Sequence, residues 1–108
     1  MSEPNPVIPI IRTRILEKVI LKTLNLRNGL EIKSVTVVQL KDPDDFRYQM
    51  MKRHFTETPK VRVFCNLPWN EKREIMIQIR KLTFYLIVSS IGRISRKKEF
   101  FFLVYLDF

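Results

Sequence analysis

The sequence predicts an α+β fold, a single small domain with two helices packed on a mostly antiparallel sheet of about four strands. Three observations lead there. The chain has 108 residues, 45% of them hydrophobic and 29% charged, enough to bury one core. Two segments carry helical spacing with start and stop residues. Several others are runs of β-branched and aromatic residues, and no regular strand–helix alternation or internal repeat is visible.

The chain opens on "PNPVIP", residues 4–9. Each proline fixes its own backbone and biases its predecessor away from helix, so residues 1–11 are expected to form an extended arm ahead of a domain spanning 12–108. From Thr13 to about Arg27, Ile15, Leu16, Val19, Ile20, Thr23 and Leu26 fall on one wide helical face, with Arg14, Lys18 and Lys22 opposite. Gly29 then offers a left-handed stop. Asn28-Gly29 is also a hairpin signal, but a two-residue turn there sets apolar residues against polar ones; only a three-residue loop with a bulge keeps the register.

Leu30 to Leu40 is dense in β-branched residues and reads as a strand. A second helix follows, with Asp42 as cap, Pro43 in the first helical position, and Lys52, Arg53 and His54 in the last turn. In "KVRVFCNL", Val61, Val63, Cys65 and Leu67 alternate inward against Arg62, Phe64 and Asn66, the pattern of a half-buried strand.

Residues 70–91 carry two conflicting patterns. Asn70, Glu71 and Glu74 at one end and Gly92 at the other frame a long helix, but the polar residues scatter around its wheel. "EIMIQIR" alternates as a strand, and "LTFYLIVSS" is rich in aromatic and β-branched residues, with a phase slip at Arg80-Lys81 that a bulge absorbs. The reading favoured is strand. The chain closes on Phe100 to Phe108, a strand with two apolar faces: Phe100, Phe102, Val104, Leu106 and Phe108 on one, and Phe101, Leu103, Tyr105 and Asp107 on the other. Such a strand needs covering twice, by helices on one side and by a loop, a second sheet or a second subunit on the other.

There is no alanine against twelve isoleucines, a bias that fits an A/T-rich genome. The groups from which catalysts are built are scarce. His54, the only histidine, suits the negative end of a helix dipole, and Cys65, the only cysteine, sits on the inward side of a strand. A single cysteine excludes an internal disulfide and a cysteine-rich zinc site. Asp42, Asp44 and Asp45 have the chemistry to hold a hard cation, but helix capping accounts for all three. Two glycines cannot make a phosphate-cradling loop. The expectation is a binding protein, not an enzyme, without metal or cofactor.

What the chain does carry is charge. The formal net charge is +9. Residues 1–50 hold eight basic and six acidic side chains, and residues 51–108 hold twelve and five. The second half is thus the expected electrostatic footprint. Its densest run is "GRISRKKE", where Arg93, Arg96, Lys97 and Lys98 stand on a short connection between hydrophobic segments. Lys72, Arg73, Arg80 and Lys81 extend that patch if they share its face, and Tyr85 or Tyr105, if exposed, can stack on bases. Ser95 inside the run is a candidate phosphate acceptor that would weaken it. Neither the aromatic RNP boxes nor a GXXG loop is present.

The function expected first is therefore binding of RNA or DNA, or another acidic partner, through the 93–98 loop. The alternative is a protein-interaction factor, of the viral accessory or matrix-like kind, that dimerises or docks through Phe101, Leu103 and Tyr105. A weaker one is peripheral contact with anionic membranes. The N-terminus lacks the pattern of an export signal and no stretch reaches the ~20 apolar residues of a membrane span, so an intracellular setting, cytoplasmic or nuclear, is expected.

Overall fold

The computed structural model describes residues 8–54, 58–92 and 99–108. Along the chain run α1 (Thr13–Asn28), β1 (Ser34–Leu40), α2 (Phe46–His54), β2 (Lys60–Phe64), α3 (Trp69–Ile91) and β3 (Phe101–Asp107). The protein is a small α+β domain. It has three helices and, among the described residues, a three-stranded mixed sheet, in place of the two helices and about four mostly antiparallel strands expected.

One segment accounts for the difference. Residues 70–91, read as strand, form the long helix α3. Its buried residues Ile75, Ile79, Thr83 and Ile87 recur every four positions, which is one face of a helix. "EIMIQIR" imitates a strand because Ile77 stands between two of them, yet Ile77 is 43% exposed on the outer side. Three hydroxyls, which can compete with the helical backbone, are satisfied inside it. Thr83 Oγ1 donates to the Ile79 carbonyl at 2.7 Å, and Ser89 and Ser90 donate to Tyr85 and Leu86 at 2.9 Å.

A helix of this length, about 34 Å, carries the chain back along the sheet, so the strand after it runs parallel to the strand before it. The order is β1-β3-β2, with β1 and β3 antiparallel and β2 and β3 parallel. The last strand is therefore the central one.

One of its faces is covered within the chain along its length, the other in part. Phe100, Phe102, Val104 and Leu106 join Val37, Val61 and Val63 beneath α1 and α3. On the opposite face Phe101 and Leu103 join Leu40 with Tyr48 and Met51 of α2. Phe100, Phe101 and Phe102 lose all solvent exposure, each a gain of about 2–3 kcal/mol by area.

α1 ends as expected at Gly29, whose φ of 64° is left-handed and whose N–H donates to the Leu24 carbonyl. Its core stripe is Leu16, Ile20 and Leu24; Ile15, Val19 and Leu26, expected on that face, are exposed. Two polar ties set this rotation. Glu17 Oε2 accepts the Val37 N–H at 2.9 Å, and Asn25 exchanges hydrogen bonds of 3.1 and 2.9 Å with the Ile32 carbonyl and N–H. α2 begins later than expected. Asp42 and Pro43 form a turn in which Asp42 Oδ1 accepts the Asp44 N–H, and the cap is Asp45, whose Oδ1 accepts the Arg47 N–H at 2.8 Å. Of the arm expected over 1–11, residues 8–11 are described. Buried Gln39 pins them, accepting from the Ile11 N–H at 2.8 Å and donating to the Pro9 carbonyl at 2.7 Å.

Candidate nucleic-acid interface

Strand alternation and helix placement together assemble a basic hollow at one end of the sheet. In β2, Val61 and Val63 point into the core, which turns Arg62 outward. Pro68 then starts α3, and burial of Ile75 and Ile79 leaves Trp69, Lys72, Arg73 and Met76 on the flank beside β2. These four, with Arg62 and Val63, line a cavity of about 300 Å³. Among the described residues lining it are three cations and no carboxylate.

The aromatic groups are placed with the cations. Trp69 is 74% exposed, and the Arg73 guanidinium lies 5.6 Å from its ring centre, one helical turn on. On the other side Arg62 lies 5.1 Å over the Phe64 ring, and Phe64 stacks on Tyr105 at 4.9 Å with 13° between planes. Trp69, Arg62, Phe64 and Tyr105 thus form one continuous strip. Arg62 belongs to both of its halves.

Other charged groups are engaged internally. Lys60 is buried, 4.8 Å from the Phe101 ring centre and 3.9 Å from Glu99. Glu99 Oε1 takes Lys60 while Oε2 accepts from the Tyr48 hydroxyl at 3.0 Å. Burial first, and the Glu99 carboxylate second, push Tyr48 up to about 12. Asp45 and Arg47 pair at 3.0 Å, which lowers the carboxyl and raises the guanidinium. Of the acids with the chemistry to hold a cation, Asp42 thus serves the turn before α2 and Asp45 its first residues.

Comparison with protein-family models, with curated proteins and with solved structures finds no match.

The expected site residues separate into groups. Lys72 and Arg73 meet in the basic hollow. Arg80 and Lys81 lie two turns further along α3, beside a different hollow with Thr58 and Phe84. Tyr85 is exposed, but it stands with Lys81, Arg27 and Thr23 between α3 and α1, away from Tyr105. Phe101 and Leu103, expected as an interaction surface, are buried under α2, and of that set only Tyr105 reaches solvent, at 40%. Arg93, Ser95, Arg96, Lys97 and Lys98 lie outside the described residues. Sequence reasoning missed Arg62, Phe64 and Trp69 as site residues. The outward phase of Arg62 and Phe64 was readable from strand alternation; the meeting of β2 with the first turns of α3 was not. Among the described residues no helix is long and apolar enough to cross a membrane.

Proposed function

We propose that this chain is a small non-enzymatic protein that binds nucleic acid along the strip from Trp69 to Tyr105. The observation that carries the reading is the hollow where Arg62, Lys72, Arg73 and exposed Trp69 meet with no carboxylate among the described residues lining it. Guanidinium and ammonium groups at that spacing neutralise backbone phosphates, and an indole beside them takes a base face. The excess charge of the second half of the chain, including Arg93, Arg96, Lys97 and Lys98, supplies long-range attraction to the same polyanion.

An acidic protein would meet the same cations without needing the indole. Trp69 is the only tryptophan, so its fluorescence reports the site directly. Titration with an oligonucleotide is expected to quench that emission, and Arg73→Gln to weaken the titration. Binding that leaves Trp69 emission unchanged would count against this surface.

A further inference from the structure

We propose that Tyr105, backed by the parallel ring of Phe64, forms a stacking platform for an unpaired base, so that the nucleic acid this protein takes is single-stranded. The inference rests on the nucleic-acid reading above and specifies its ligand.

The sheet register carries the argument. On the face opposite α1 and α3, cross-strand rows run Leu40, Phe101, Lys60; then Val38, Leu103, Arg62; then Thr36, Tyr105, Phe64. Tyr48 and Met51 of α2 pack on the end nearest Phe101. The third row stays open: Thr36 is exposed, Tyr105 is 40% exposed, and Phe64 is half-buried. Two rings are therefore held parallel, 4.9 Å apart, at a part of the sheet that α2 reaches only through the Arg47 side chain beside Tyr105 and through the packing of Phe64 against its cluster.

Charge complementarity selects the occupant. Arg62 covers one face of Phe64 and also lines the hollow with Lys72 and Arg73, so the aromatic row continues directly into the cation cluster. A ligand spanning both must offer flat apolar faces on one side and anionic groups on the other. Unpaired nucleotides do. In a duplex the base faces are already stacked on each other, and only the phosphates remain to be met.

The test compares an oligothymidylate single strand with a blunt duplex carrying the same number of phosphates, both at fixed moderate salt. The single strand is expected to bind more tightly. Tyr105→Leu, which keeps an apolar side chain but removes the ring, is expected to weaken single-strand binding about 5- to 100-fold and leave duplex binding within about twofold. Tyr105→Phe is expected to restore it. Equal affinity of the wild-type protein for strand and duplex would overturn the platform, a result that needs no variant to fold. So would indifference of single-strand binding to Tyr105→Leu. In either case nucleic-acid binding at the hollow of Arg62, Trp69, Lys72 and Arg73 would stand. Failure of both oligonucleotides to bind would instead remove that reading, and this inference with it.

Discussion

The Tyr48 hydroxyl donates a 3.0 Å hydrogen bond to Glu99 Oε2, joining α2 to the chain two residues before the central strand. The same carboxylate faces Lys60, and the Tyr48 ring meets Phe101 edge-on at 4.0 Å. This cluster closes the half of the sheet face that the proposed platform leaves open.

That contact gives stability an alkaline dependence. Tyr48 is raised to about 12 in the folded protein from its ordinary value near 10, so the folded state holds the neutral phenol more firmly than the unfolded chain does. The stabilisation is complete below about pH 10 and is lost as pH rises through 12, because over that window the unfolded chain binds fewer protons. Denaturant titrations from neutral pH to pH 12 are expected to show the loss, on the order of 1 kcal/mol. Tyr48→Phe should flatten that part of the profile. An equally steep profile in the variant would contradict the assignment.

Gln39 ties residues 9–11 to β1 through its amide oxygen and its amide NH2. Gln39→Ala leaves the Ile11 N–H and the Pro9 carbonyl without their partner, a loss of about 1–3 kcal/mol. Chemical denaturation measures it. Hydrogen exchange should show the Ile11 amide losing protection, and an unchanged Ile11 rate would contradict the described anchoring.

The segment 69–91 separates helix from strand in a single comparison. In a strand Ile77 and Ile79 would share a face, whereas in α3 Ile79 is fully buried and Ile77 is 43% exposed. Ile79→Ala is expected to cost about 2–5 kcal/mol and Ile77→Ala less than about 1 kcal/mol. Similar costs at the two positions would argue for the strand.

The same segment shows where sequence reasoning loses its grip. Exposed Ile77, Phe84 and Tyr85 interrupt the polar outer side of α3, so the helical period fades while the local alternation of Ile75, Ile77 and Ile79 stands out. Misreading it changed the strand count and the sheet type together, since only a helical crossover makes β2 and β3 parallel. By contrast, the division of the final strand into a Phe100, Phe102, Val104, Leu106 face and a Phe101, Leu103, Tyr105 face was legible, because a period of two depends on nothing outside the strand. α1 shows an intermediate case. Its limits were readable from Thr13 and Gly29, but its rotation depends on Glu17 and Asn25 finding partners in β1 and the loop before it. The site divides the same way. Lys72, Arg73 and Tyr105 could be singled out by type; Arg62 and Trp69 become site residues only when an edge strand and a helix start meet.

Binding measured as a function of salt tests the central claim most directly. If Arg62, Lys72 and Arg73 each neutralise one phosphate of a single strand, the slope of log affinity against log salt should be shallower by about 2 in the triple variant Arg62→Gln, Lys72→Gln, Arg73→Gln than in the wild type. The account predicts that difference, together with weaker binding at low salt. Wild-type binding that does not respond to salt, or a triple variant with an unchanged slope, would contradict it.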